Sequence, residues 1–175
     1  VRVIGGHQQM LRLDFEETHP IAIEIEQKMK EYILKIVPNK VTSVIISDYG
    51  KGVCTPSLCQ FIIEHCNLHN IPVIVDPKGN DWEKYSRASY ITPNLAELND
   101  AVQYGVPNDD EAVKKAAGKI RRKYKIKNLI VTRSERGLSL IGARNSTHIP
   151  TYAQEVFDVS GAGDTVIAVL GAALA

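Results

Sequence analysis

The chain has 175 residues, 44% of them hydrophobic and 23% charged, which suits one compact domain or a piece of a larger protein with a buried core. A formal net charge of +1 gives no compositional argument for nucleic acid or an anionic membrane. No apolar run approaches the roughly 20 residues that span a bilayer, the start has no signal-peptide pattern, and three cysteines (Cys54, Cys59, Cys66) are too few and of the wrong parity for a disulfide scaffold, so a reducing, cytoplasmic setting is expected.

In chain order, Arg12 alternates with apolar neighbours in Leu11-Arg12-Leu13, as the polar face of a strand does. Ile25, Met29, Tyr32, Ile33 and Ile36 follow a helical period. Residues 41–47 predict a buried strand ending at Asp48. Thr55-Pro56 then opens a helix, Thr as N-cap and Pro at the first helical position, with Leu58, Phe61, Ile62 and Cys66 on its apolar face. His65 and His69 on that helix have a spacing that metal sites use, but no acidic residue or cysteine pair completes a shell, so an exposed helix end with a buried Cys66 is the simpler reading. Residues 71–75 predict a second strand closed by Asp76-Pro77, Trp82 and Tyr85 pack a short helix, and residues 89–92 form a third strand closed by Pro93.

Asn94 and Glu97 have the spacing of a capping box. Val113, Ala116, Ala117, Ile120 and Tyr124 mark a helix that opens on Asp109-Asp110-Glu111 and ends on Arg121-Arg122-Lys123, a charge order that complements the helix dipole. Residues 128–132 and 138–142 predict two more strands, and residues 166–175 an apolar helix. Both ends of the chain read as cuts through a longer protein.

Strands alternating with helices predict an α/β fold with a mostly parallel sheet covered on both faces. Ligands of such sheets bind beyond the carboxyl ends of the strands. Polar clusters fall there: residues 48–52, 76–79, 92–94 and 132–134. The most telling motif is Ser160-Gly161-Ala162-Gly163-Asp164-Thr165, a Gly-rich turn opening the last helix. Glycines let the backbone approach a ligand, and the free amides of a helix start hold an anion. A carboxylate one residue later supplies a base for an attacking hydroxyl, the pairing that phosphoryl transfer needs. The plain alternative is an ordinary turn with Asp164 as a first-turn acid. The chain contains no Walker P-loop, and no Gly-x-Gly-x-x-Gly follows an early strand.

Residues 158–165, Asp-Val-Ser-Gly-Ala-Gly-Asp-Thr, resemble the carboxy-terminal signature of the ribokinase/PfkB carbohydrate kinase family. The resemblance implies a ribokinase-like fold, with residues 1–17 in a small β lid and 18–175 in the α/β core. It implies that Gly161, Ala162 and Gly163 form the anion hole and that Asp164 is the catalytic base. Asn94-Leu95-Ala96-Glu97 is similar to the family's Asn-x-x-Glu motif, so Asn94 and Glu97 are expected to organise Mg²⁺ and phosphate through water. Lys78, Thr132, Ser134 and Gly137 are implied on the ATP side, although many family members have Gly where this chain has Ser134.

Residues 8–17, 47–52, 92–94 and 132–135 narrow the resemblance to the subgroup that phosphorylates D-glycero-β-D-manno-heptose 7-phosphate. On that reading ATP is the donor, the anomeric hydroxyl the acceptor, and Lys51, Asp48 and Arg12 face the sugar phosphate. The product is the 1,7-bisphosphate of lipopolysaccharide core biosynthesis. A fused adenylyltransferase domain and a homodimer are partner arrangements the resemblance brings with it. Another sugar or nucleoside kinase of the family, a catalytically silent nucleotide-binding module, and a dinucleotide-binding oxidoreductase domain are the alternatives.

Overall fold

The computed structural model describes residues 2–5, 8–151 and 161–175. A hairpin comes first: β1 (Arg2–Gly5) pairs antiparallel with β2 (Gln8–Arg12), with a register shift between Val3 and Ile4. Its apolar side chains Val3, Ile4, Met10 and Leu11 are exposed.

The core follows as α1 (Ile23–Lys40), β3 (Val44–Ser47), α2 (Pro56–Leu68), β4 (Val73–Asp76), β5 (Tyr90–Ile91), α3 (Leu95–Val102), α4 (Asp110–Lys123), β6 (Asn128–Thr132), β7 (Leu138–Ile141), β8 (Ser146–Ile149) and α5 (Ala162–Leu174). Single 3₁₀ turns lie at Glu83–Tyr85 and Ser134–Arg136. Among the described residues no helix is long and apolar enough to cross a membrane.

The core sheet runs in the order β3-β4-β5-β6-β7-β8. β3 to β6 are mutually parallel, and β7 and β8 fold back antiparallel as two hairpin steps. Parallel neighbours need long crossovers: α2 lies in the one from β3 to β4, the 3₁₀ turn at Glu83–Tyr85 in the one from β4 to β5, and α3 and α4 in the one from β5 to β6; β6, β7 and β8 need only tight turns. Val73, Val75, Ile91, Leu129 and Val131 are fully buried, on one packed core with Ile63 and Cys66 of α2, Leu98 of α3, and Val113, Ala117 and Ile120 of α4. The other face is covered over β3 and β4 by α5, whose Ile167 and Gly171 are buried. A Cβ on Gly171 would stand 2.9 Å from Ile45 Cδ1, so this glycine lets the helix axis lie close to the sheet. Ser43 Oγ donates to Gly171 O at 3.0 Å and fastens that contact.

Helix starts are where the sequence places them. Thr55 Oγ1 accepts from Leu58 N at 3.0 Å with Pro56 at the first position. Asp109 Oδ1 accepts from Ala112 N at 2.8 Å. Each such cap stabilises its helix by about 1 kcal/mol relative to alanine. Trp82 and Tyr85 are fully buried around their short turn, as expected.

Three features depart from the sequence reading. The third strand shortens to Tyr90–Ile91, although the flanking main chain still pairs with β4: Ser89 N donates to Val73 O at 3.0 Å and Thr92 N to Val75 O at 2.9 Å. β8 was not foreseen; its alternation, Ser146-Thr147-His148-Ile149, is nearly all polar, so hydrophobic patterning misses it. Helical cover of the second face comes from α5 alone among the described residues.

Candidate active site

The parallel strands end in a row, and each ends in a polar residue: Ser47-Asp48 after β3, Asp76 after β4, Thr92 to Asn94 after β5, and Thr132 after β6. Register aligns Ser47 with Asp76. A lone parallel bridge aligns Asn94 with Thr132, and Thr132 N donates to Pro93 O at 2.9 Å. The expected nucleotide-side and Asn94–Glu97 segments are thus neighbours at one edge of the sheet.

At the β3 end, Asp48 is buried, 5% exposed, with its carboxylate fully engaged. Oδ1 accepts from Gly50 N at 2.7 Å; Oδ2 accepts from Lys84 Nζ at 2.6 Å and Tyr85 Oη at 2.5 Å. Tyr85 Oη in turn accepts from Lys78 N at 3.3 Å, so one phenol ties the β3 end to the β4 end. Burial alone would raise the Asp48 carboxyl; the Lys84, Tyr85 and Gly50 donors outweigh it and hold it below the ordinary carboxylate value. Asp48 therefore shapes the loop of residues 49–52. Tyr85, expected only to pack a short helix, and Lys84, which the sequence did not single out, complete that arrangement.

Lys51 points out of this loop and pairs with Glu16 Oε1 at 2.5 Å, linking the core to the segment after the hairpin. Gly52 accepts Ile21 N at 3.0 Å and has φ +85°; a Cβ there would meet His19 O at 1.9 Å, so only glycine fits. The Arg12 side chain lies outside the described residues.

Asn94 and Glu97 form both halves of a capping box: Asn94 Oδ1 accepts from Glu97 N at 2.9 Å, and Glu97 Oε2 accepts from Asn94 N at 3.0 Å. Glu97 Oε1 is 4.0 Å from Lys78 Nζ, whose ammonium is exposed. In the turn expected to face the nucleotide, Ser134 adopts φ +52°, and Gly137 adopts φ +78° with its backbone against Ile149 and Thr151.

Gly161 is the N-cap of α5 at φ +78°, a conformation that favours glycine. The first helical hydrogen bond runs from Thr165 N to Gly161 O at 2.9 Å, so the amides of Ala162, Gly163 and Asp164 precede the helical ladder. Among the described atoms, open space faces both Gly161 and Gly163. Ser160 and the rest of residues 152–160 lie outside the described residues. Asp164, in the first turn, is exposed; Tyr49 Oη donates to its Oδ1 at 3.4 Å, and it enters no ion pair among the described residues.

The family described as pfkB family carbohydrate kinase matches residues 21–175. The chain belongs to this family of carbohydrate kinases. Among curated proteins, the pfkB-family chain is 43% identical over 174 residues to the bifunctional protein HldE of Methylobacillus flagellatus, which covers 99% of this chain and 36% of that protein. It is 44% identical over 176 residues to the protein of the same name from Trichlorobacter lovleyi, covering 99% of the chain and 35% of the relative. The chain thus spans about a third of the length of these relatives. Among solved structures, phosphofructokinase-2 from Escherichia coli in complex with potassium superposes with a TM-score of 0.74 at 21% identity, over 89% of this chain and 50% of that one. Arabidopsis thaliana ribokinase complexed with ribose and ATP superposes with a TM-score of 0.67 at 20% identity, over 90% and 48%. These likenesses establish the ribokinase-like fold.

In this pfkB-family chain the least expected group at the sheet edge is Asp76. Burial, then the negative charges of Glu97 and Asp164, push its carboxyl up to about 6, against the pull of Lys78. Hard oxygen donors around an excess of negative charge fit Mg²⁺ chemically. Among the described residues no three carboxylate, His or Cys side chains gather closely enough to hold a metal ion directly.

The raised Asp76 carboxyl links stability to pH. Below the unfolded value of 3.8 both states are protonated; between 3.8 and about 6 the folded state holds the extra proton, so its contribution to stability falls as pH rises through that window. Asp76→Asn should therefore raise stability at neutral pH by about 1 kcal/mol, allowing for solvent screening of a half-buried group. The gain should vanish below pH 3.8, as denaturant midpoints measured across pH would show.

His65 and His69 stay apart from this edge. His65 stacks on Phe61 and meets His69 edge-on at 4.8 Å, with Cys66 fully buried beneath. Lys119 and Lys123 lie over the rings of Tyr104 and Tyr124 on the far helix surface.

Proposed function

We propose that the intact protein transfers the γ-phosphoryl group of ATP to the anomeric hydroxyl of D-glycero-β-D-manno-heptose 7-phosphate, giving the 1,7-bisphosphate for lipopolysaccharide core biosynthesis in the cytoplasm. The observation that carries this reading is the start of α5: amides ahead of the helical ladder, a glycine bend at Gly161, and the exposed Asp164 carboxylate, which accepts from Tyr49 Oη and enters no ion pair among the described residues, at the sheet edge where Asp76 and Glu97 gather.

Asp164 takes the proton of the anomeric hydroxyl as the new O–P bond forms and the bond from the γ-phosphorus to the β–γ bridging oxygen breaks, releasing ADP. The amides of Gly161, Ala162 and Gly163 hold the charge of the moving phosphoryl group. Lys78, Thr132, Ser134 and Gly137 face the nucleotide. Lys51, Asp48 and Arg12 lie on the sugar side, Asp48 by shaping the loop that carries Lys51. Asn94 and Glu97 would hold Mg²⁺ through water, with Asp76 beside them; the ion neutralises phosphate charge when bound. Residues 1–17 act as the lid, and 18–175 as the kinase core.

The similarity to proteins named bifunctional favours a second activity elsewhere in the full chain, which we assign to an adenylyltransferase domain, and the kinase is expected to work as a homodimer. A coupled ADP-release assay of the full-length enzyme across a sugar phosphate panel tests the reading. Heptose 7-phosphate should give the highest kcat/KM; preference for fructose 6-phosphate, ribose or a nucleoside would move the protein elsewhere in the family. ATP binding without sugar-dependent ADP release would make it a binding module.

A further inference from the structure

We propose that Arg133 is a positioning residue that sets ATP affinity by fixing the turn of residues 132–137 without itself touching the nucleotide. The inference rests on the kinase reading above and adds to it a residue outside the expected constellation. Arg133 is 1% exposed, among the largest fully buried side chains of the protein.

Its guanidinium is spent in three directions. Nε donates to Asn108 Oδ1 at 2.9 Å and one terminal nitrogen to Asn108 O at 3.1 Å. The other terminal nitrogen donates to Asp110 Oδ1 at 2.5 Å and to Ser139 Oγ at 2.9 Å, and lies 3.4 Å from His148 Nδ1. One side chain thereby joins the loop before α4, the first turn of α4, β7 and β8. The main chain of the same residue closes the turn. Arg133 N donates to Gly137 O at 2.8 Å, while Arg133 O accepts from Arg136 N at 3.1 Å and from Asn108 Nδ2 at 3.4 Å.

The turn so held is strained. Ser134 sits at φ +52°, a conformation costing a non-glycine residue about 1 kcal/mol or more, and such geometry persists where surrounding contacts over-determine it. Burying a guanidinium against a carboxylate that is itself 57% exposed is a poor route to stability, since desolvation offsets much of the attraction. Its value lies in direction: a planar fork fixes angles as well as distances. What it fixes is the peptide run that leaves β6 beside Asn94, the segment assigned to the nucleotide.

The test uses the full-length chain, with ATP affinity by calorimetry and steady-state kinetics against ATP and sugar phosphate separately. Arg133→Met should weaken ATP binding by about tenfold or more and raise KM for ATP in step, with kcat at saturating ATP and KM for sugar within about twofold. Arg133→Lys should recover only part of the loss, because a lysine has no fork. Should Arg133→Met fail to fold, Asn108→Ala, which removes the Nε partner and the Asn108 Nδ2 bond to the turn, should shift ATP affinity the same way. ATP affinity within about twofold of wild type in a folded Arg133→Met or Asn108→Ala variant overturns the proposal, as does a uniform fall in kcat and both KM-derived efficiencies. A wild type that binds ATP but phosphorylates no sugar overturns the kinase reading alone, since the ratio of ATP affinities still decides the role of Arg133; a wild type that does not bind ATP overturns both.

Discussion

Asp164→Asn is expected to lower kcat by about 10²–10⁴-fold while ATP affinity stays within about twofold. The amide is close in size and keeps an acceptor for Tyr49 Oη, so the start of α5 and its free amides should survive the exchange. What it loses is the capacity to take a proton from the acceptor hydroxyl. Because Asp164 enters no ion pair among the described residues and is exposed at the helix start, its exchange for Asn should cost little stability. The expected signature is therefore a folded, nucleotide-competent protein with its chemical step slowed. Near-normal turnover would make Asp164 a first-turn acid and nothing more.

Asp48→Ala should act in the opposite way, on the fold before the chemistry. Three donors converge on this buried carboxylate, and alanine strands Lys84 and the Tyr85 hydroxyl together. Removing one partner of a buried charged pair costs about 3–5 kcal/mol, a large share of a domain's stability. The denaturant midpoint should fall accordingly. Asp48→Asn, which keeps an acceptor, should lose less. The sign with pH follows from a depressed carboxyl: the stabilisation is present above the unfolded value of 3.8 and is lost as pH falls through the lower folded value. Wild type and Asp48→Asn should thus converge in acid.

The contrast between these two aspartates shows what a linear sequence exposes. Asp48 stands one residue past the strand predicted at 41–47, and Asp164 one residue past the Gly161–Gly163 turn. The helix caps were legible because their chemistry is local: Thr55 with Leu58, Asn94 with Glu97, and Asp109 with Ala112 lie within one turn. The parallel order of β3 to β6 was legible in the alternation of strand and helix. The partners of Asp48 come from Lys84 and Tyr85, more than thirty residues on, and nothing in their neighbourhood marks them as more than a packed turn. Arg133 is a similar case. Beside Thr132 and Ser134 it passes for a surface arginine, and its burial depends on Asn108, Ser139 and His148 arriving from three other segments. Asp76 was visible as the end of a buried strand, but its raised carboxyl arises from burial first and then from the charges of Glu97 and Asp164, which only the fold brings near.

The most direct measurement is phosphorus NMR of the full-length enzyme incubated with ATP, Mg²⁺ and D-glycero-β-D-manno-heptose 7-phosphate. The expected result is a new phosphate resonance coupled to the anomeric proton, growing in equal amount to ADP and slowed about 10²–10⁴-fold by Asp164→Asn. Release of inorganic phosphate in place of that signal, or an anomeric phosphate formed at an unchanged rate by Asp164→Asn, would contradict it.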